Sequence, residues 1–134
     1  MKIVGATEYG LVLYREKLPK FNNEGKMIFN WMNWEKDNNY PKIHPTQKPI
    51  PLLKKLIKIF TDENDVVIDP VAGSCSTLRA CMELNRSSYG FEIKKEFMKL
   101  AKEKMLTLDY DFKQELTKEI KQVNMFDIMG GINE

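Results

Sequence analysis

Cysteine and histidine are scarce in this chain of 134 residues, which carries two of the first and one of the second. Cys75 and Cys81 lie in what reads as one turn and helix, a spacing that forms neither a disulfide framework nor a zinc pattern, so a reducing compartment is the default. No apolar run nears the ~18 residues of a membrane span. The first residues lack the basic-then-apolar order of an export signal, and the cytoplasm is the expected location. Nucleotide-binding fingerprints are missing as well: there is no G-x-G-x-x-G and no phosphate loop ending in Gly-Lys-Ser/Thr. A net charge of +2 gives no whole-chain signature of nucleic-acid binding. Internal repeats and low-complexity segments are absent.

What remains fits a globular protein, with 43% hydrophobic and 30% charged residues. A chain of this length forms one domain and buries roughly 68% of its unfolded surface. Its charges are unevenly spread. Lys36, Lys42, Lys48, Lys54, Lys55 and Lys58 cluster in the middle, while Asp109, Asp111, Glu115, Glu119 and Asp127 fall late. Solvated helix faces account for such clusters without a partner.

Residues 7–16, TEYGLVLYRE, are rich in Val, Leu and Tyr and read as a strand. A long irregular stretch follows, with Asn, Gly and Pro between aromatics, of the kind that serves function in small domains. PIPLLKKLIKIF, residues 49–60, predicts a helix with Leu52, Leu53, Leu56, Ile57 and Phe60 inward and Lys54, Lys55 and Lys58 outward. Its prolines suit a first turn, where a missing N–H costs nothing. Residues 65–69 predict a short buried strand, 75–84 a helix, 88–93 a second strand and 94–105 a helix with Phe97, Leu100, Ala101 and Met105 inward. Another helix is expected over 110–123 and a frayed tail over 124–134. Helices alternating with strands are the grammar of a parallel α/β sheet.

Three places hold residues suited to chemistry. At Asp69-Pro70-Val71-Ala72-Gly73-Ser74-Cys75-Ser76-Thr77 a strand ends in a small-residue turn that opens a helix. Open α/β sheets bind ligands at that end, and small residues let a ligand approach the backbone. An ordinary strand-to-helix turn has the same look. Glu92 closes the second strand, roughly 20 residues after the glycine turn, where an acid in a βαβ unit can hold both ribose hydroxyls. A surface glutamate is the plainer reading. The loop HPTQKP, stiffened by Pro45 and Pro49, presents Thr46, Gln47 and Lys48 at low entropic cost. His44 in it reads either as a general base or as a structural residue.

In this order, HPTQKP, an amphipathic helix, DPxxGSxxT and an acid-ended second strand, the sequence resembles the cofactor-binding half of the DNA amino-methyltransferases. These enzymes use S-adenosylmethionine to methylate the exocyclic amino group of adenine or cytosine. The likeness covers residues 7 to about 105, and TEYGLVLYREKLPKFN is similar to the segment preceding the recognition region in phage and restriction-associated members. It implies an incomplete methyltransferase fold: a Rossmann-like partial parallel sheet flanked by helices. Residues 1–43 are then a strand plus a recognition-like segment, 44–123 the cofactor-binding domain, and 124–134 the tail. It implies that Thr46 and Lys48 line the methionine end of the cofactor, that Asp69, Pro70, Gly73, Ser74 and Thr77 form the turn beneath it, and that Glu92 takes the ribose hydroxyls. Three positions depart from the family's Asp-Pro-Phe-x-Gly-Ser-Gly-Thr-Thr. Val71 removes an aromatic wall, Cys75 puts a side chain where glycine is usual, and Ser76 replaces a threonine.

The family's Asp/Asn/Ser-Pro-Pro-aromatic motif, which holds the poorly nucleophilic amino group and stacks the flipped base, is absent, because no two prolines here are adjacent. In one circularly permuted group of the family the catalytic half comes first and the cofactor half last; this sequence is similar to that second half alone. Double-stranded DNA is the implied substrate, and either self-association or a second chain carrying the catalytic motif is expected. No catalytic residue is assigned. A non-catalytic module that binds cofactor or DNA is the alternative.

Overall fold

The computed structural model describes residues 7–107, so the helix and tail expected beyond them lie outside the described residues. Its elements run α1 (Ile50–Phe60), β1 (Val66–Asp69), α2 (Ser76–Met82), β2 (Ser87–Gly90) and α3 (Lys95–Leu100), the last continuing into a π-helical turn at Ala101–Met105. The order expected from residue 49 onward holds, with boundaries shifted by one to three residues. Strands β1 and β2 pair in parallel, Val66 opposite Ser87 and Asp69 opposite Gly90. The ladder runs one step past the strands, with the Phe91 N–H donating to the Asp69 carbonyl (2.9 Å) and the Ala72 N–H to the Phe91 carbonyl (2.9 Å).

Helix α1 forms because Pro49 and Pro51 pre-set its first turn and Ile50, Leu53 and Ile57 recur on one side, facing the core. Pro49 has no side chain with which to cap, so a remote residue does it: the Ile50 N–H donates to Asp37 Oδ2 at 3.1 Å. Ile50, Ile57 and Ile59 are the buried residues; Leu56, expected inward, is exposed, because the face turns toward α2 rather than toward the sheet. The core gathers Ile50, Ile57, Ala72, Cys75, Ala80, Cys81, Leu84, Ala101 and Met105. Each isoleucine so buried is worth about 2 kcal/mol.

At the back of the core one carboxylate joins three segments: α2, α1 and the stretch before the HPTQKP loop. Glu83 Oε1 accepts from Arg79 Nε at 2.7 Å and from the Tyr40 hydroxyl at 2.6 Å, while Oε2 accepts from Lys54 Nζ at 2.7 Å. Arg79 is 1% exposed, and its Nη1 donates to the Met105 carbonyl at 3.1 Å, which satisfies the end of the last helical segment. A buried cation is tolerable here because it is both paired and hydrogen-bonded.

Gly90 is required by packing. A Cβ there would stand 2.7 Å from Leu78 Cδ1 and 3.1 Å from the Ala72 Cβ. Gly90→Ala is therefore expected to lower stability by about 1–2 kcal/mol as Leu78 is driven off α2's sheet contact, read as a lower urea midpoint at unchanged slope.

Two expectations fail on exposure. Residues 7–16 form no strand; Tyr9, Leu11 and Leu13 stand 91%, 85% and 85% exposed. Their composition favours a strand, but a strand needs a neighbour to pair with, and the described chain offers none there. Strand β1 is not buried on both faces either. Val67 packs inward under α2, whereas Val66 and Ile68 are 55% and 63% exposed, and Tyr89 and Phe91 add to the same open apolar surface. Helices therefore cover one face of this two-stranded sheet, and among the described residues the other face is bare. No helix among the described residues is long and apolar enough to cross a membrane.

Candidate functional site

The turn after β1 is held by its own backbone. Asp69 Oδ1 accepts the Val71 N–H at 3.1 Å, and the Cys75 N–H donates to the Ala72 carbonyl at 2.7 Å. Two residues take left-handed backbone, Gly73 at φ +53° and Cys75 at φ +60°. Glycine adopts this at no cost; a cysteine there costs about 1–2 kcal/mol. Cys75 thus holds the conformation of the glycine it replaces. Its side chain is 1% exposed and belongs to the core, so it does not stand in the ligand's way as the sequence suggested. Burial, with lesser contributions from Asp69 and Glu92, pushes the Cys75 thiol above its ordinary range. Val71 is 80% exposed, leaving one wall of the turn open where the family has an aromatic ring. Ser74 and Ser76 are buried and bonded to each other through their hydroxyls at 2.7 Å. Thr77 and Asp69 are half-buried, and Pro70 is exposed.

The parallel register carries Glu92 to this turn. Since Asp69 faces Gly90 across the ladder, the two strands end level, and the residues that follow converge. Glu92 Oε2 accepts the Gly73 N–H at 2.9 Å, and Oε1 accepts the Lys94 N–H at 2.7 Å. Donation from the Lys94 backbone first, and from Gly73 and Ile93 next, outweighs desolvation and keeps the carboxyl below its ordinary value. A carboxylate offers about four lone-pair sites. Gly73 and Lys94 hold one oxygen each and Ile93 donates more weakly, so acceptor capacity remains on a half-exposed group. That arrangement fits a vicinal diol, which donates from two adjacent hydroxyls. A shallow, open groove of about 380 Å³ starts at Glu92 and runs along Lys95, Met98, Lys99, Lys102 and Glu103. Neither Gly73 nor Thr46 lines it, so the turn itself, not the groove, is the better guide to the site.

The HPTQKP loop lies next to this strand end through one ring contact: His44 packs edge-on against Phe97 of α3, with centroids 4.5 Å apart. Its Nδ1 accepts the Thr46 N–H (3.3 Å) and lies 3.0 Å from Thr46 Oγ1. A backbone N–H can only donate, so Nδ1 is the acceptor and Nε2 carries the proton. These contacts give His44 a holding role. Gln47 closes the loop on itself: its Nε2 donates to the Pro41 carbonyl at 3.0 Å and its Oε1 accepts the Ile43 N–H at 3.0 Å. The sequence marked Gln47 only as presented by the loop, although a long amide between two prolines was the available signal for this bracing role. Thr46 is exposed. Lys48 points away from the turn's acids, with Nζ 2.6 Å from Glu8 and 4.5 Å from the centre of the Trp34 ring. The structure therefore brings the Gly73 turn and Glu92 directly together at the end of the strand that Asp69 closes, ties the HPTQKP loop to α3 through His44 and Phe97, and engages Lys48 elsewhere.

Comparison with known proteins gives this arrangement a family. Residues 12–103 match a family model described as DNA methylase. The Type II methyltransferase M.HpaI of Haemophilus parainfluenzae is 43% identical over 68 residues, which cover 51% of this chain and 22% of that protein. The DNA adenine methyltransferase YhdJ of Escherichia coli (strain K12) is 30% identical over 125 residues, covering 87% of this chain and 40% of YhdJ. Among solved structures, the M1.HpyAVI-SAM complex is 34% identical with a TM-score of 0.53, covering 66% of this chain and 44% of that one. The chain thus spans well under half the length of these relatives. With the loop, the glycine turn and the acid-ended strand all inside the matched residues, this chain belongs to the DNA methylase family.

Proposed function

We propose that this chain is the cofactor-binding part of a DNA methyltransferase that moves a methyl group from S-adenosylmethionine to the exocyclic amino group of adenine or cytosine in DNA. One observation carries the reading: the Glu92 carboxylate, fixed by the Gly73 and Lys94 N–H groups, stands half-exposed with acceptor capacity to spare at the level ends of two parallel strands. Glu92 holds the ribose hydroxyls. Gly73 leaves open space above the turn, since a Cβ there would meet nothing within 4 Å. Asp69, Pro70, Val71, Ser74 and Thr77 shape the turn, and Thr46 and Lys48 border the methionine end, which requires Lys48 to leave Glu8. When bound, the cofactor supplies an electrophilic methyl group on a sulfonium. The similar protein M1.HpyAVI has been solved in complex with SAM, which supports the choice of cofactor.

Transfer needs groups this sequence does not contain. The adjacent prolines of the Pro-Pro-aromatic motif are not among these residues, so the part that holds the amino group lies outside this sequence. That part docks on the face of Val66, Ile68 and Tyr89, which is bare among the described residues, covering apolar surface and extending the two-stranded sheet. The exposed aromatics Phe29 and Trp31, with ring centroids 5.9 Å apart, face DNA in the recognition-like segment. The whole assembly works in the cytoplasm. The test is transfer of labelled methyl groups to double-stranded DNA. The purified chain alone is expected to transfer none, and addition of a chain bearing the motif is expected to give transfer. Transfer by the single chain would refute the division of labour. The alternative, a non-catalytic binding module, draws support from Val71 in place of the aromatic wall; it predicts no transfer with any partner.

A further inference from the structure

We propose that the hydrogen bond between Tyr40 and Glu83 is a latch that fixes the His44–Lys48 loop relative to the Gly73–Thr77 turn, which makes Tyr40 and Glu83 positioning residues for the cofactor site. The inference rests on the proposed function for its consequence, though not for the latch itself.

Helix α2 is the common frame. Its first residue, Ser76, follows the glycine turn directly, and its last turn leads to Glu83. Whatever is bound to Glu83 is thereby referred to the turn at the other end of the same short rod. Tyr40 stands immediately before the loop, and its hydroxyl reaches Glu83 Oε1 at 2.6 Å. The phenol ring lies under the Arg79 guanidinium, 5.5 Å from ring centre to cation, which fixes its orientation as well as its end point. Between Tyr40 and α1 the loop is stiff. Gln47 bridges Pro41 and Ile43, Pro45 and Pro49 fix two φ angles, and His44 holds Thr46. A stiff segment moves as one body, so anchoring its start places its far end.

Ile43 also packs on the core that α2 shares, but that contact is apolar and sets no fixed bond to α2. Asp37 binds the first N–H of α1 and Gln47 binds within the loop, so neither reaches α2. Lys48 with Glu8 is a surface pair of half-exposed groups, the kind that contributes little. The His44–Phe97 contact refers the loop to α3. Burial first, and the Glu83 bond second, raise the Tyr40 phenol far above its ordinary range, so it stays a donor at any physiological pH.

Tyr40→Phe keeps the ring and removes the hydroxyl. Hydrogen exchange of the Ile43 and Gln47 amides is expected to quicken about tenfold, with the β1 and β2 amides unchanged. The affinity of the chain for S-adenosylmethionine is expected to fall by a similar factor. Leu53→Ala, which thins the packing of α1 without touching the loop, serves as the control and is expected to speed exchange evenly across the chain. Unchanged loop exchange in Tyr40→Phe would overturn the latch. Selective loop opening by Leu53→Ala equal to that of Tyr40→Phe would overturn it too, because the loop would merely follow global stability. Faster loop exchange with undiminished cofactor affinity would overturn the positioning role. If the unaltered chain binds no S-adenosylmethionine, the proposed function fails, and exchange alone still decides the latch.

Discussion

Replacing Glu92 by alanine is expected to weaken S-adenosylmethionine binding by about a hundredfold or more, read by calorimetric titration, with little change in thermal midpoint. The size follows from what the carboxylate offers two adjacent hydroxyls: charge-assisted hydrogen bonds, each stronger than a neutral one. The small stability effect follows from its setting. Glu92 sits half-exposed, and the Gly73 and Lys94 N–H groups it leaves behind can turn to water. Glu92→Gln is expected to bind nearly as poorly. Each carboxylate oxygen accepts a backbone N–H, and an amide presents a donor to one of them, so the side chain must turn away from the turn or lose one contact. A loss of only two- or threefold in Glu92→Ala would mean that the ribose hydroxyls are held elsewhere.

Glu83→Leu carries the largest expected cost in stability, about 3 kcal/mol, or a fall in thermal midpoint of about 10 °C. Leucine fills most of the volume, so packing is not the main loss. What fails is charge: Arg79, 1% exposed, loses the carboxylate it is paired with, and Tyr40 and Lys54 lose the same acceptor. Acid should reproduce part of this in the unaltered chain. Burial by itself raises the Glu83 carboxyl, but hydrogen bonds from Lys54, Tyr40 and Arg79 together outweigh it and hold the group below its ordinary 4.5. A carboxyl lowered in the folded state contributes stability that is complete above the unfolded value and lost as pH falls through the folded one. Stability should therefore decline below pH 4.5, and Glu83→Leu should flatten that decline, as measured by urea midpoints across the range.

How far the sequence could be read depended on whether local residues decided the outcome. From residue 49 to 105 they did: Pro49 and Pro51 opened α1, the run Val66–Ile68 made a strand, and Gly73 took the left-handed backbone at the turn. The meeting of Gly73 with Glu92 was legible too, because parallel strands of equal length end level. The exposure of residues expected in strands was not legible. Val66, Ile68 and the stretch from Tyr9 to Leu13 carry apolar residues suited to burial, but burial depends on what packs against them, and no local pattern reports a missing neighbour. Cys75 was misjudged for a related reason. Its φ could be inferred from the glycine it replaces, whereas the inward turn of its side chain is set by the surrounding core. The Arg79–Glu83 pair was visible only as an i, i+4 spacing typical of solvated helix faces, and burial by Tyr40 and Met105 changed its meaning.

The central claim is that the glycine turn and Glu92 form one cofactor site. Titration of S-adenosylmethionine into the isotope-labelled chain, followed by amide resonances, tests it most directly. The account predicts saturable shifts concentrated at Gly73, Ser74, Lys94 and Thr46, with the exposed β1 face at Val66 and Ile68 unmoved. Shifts confined to the lysine groove at Lys99 and Lys102, or no saturable shift at all, would contradict it.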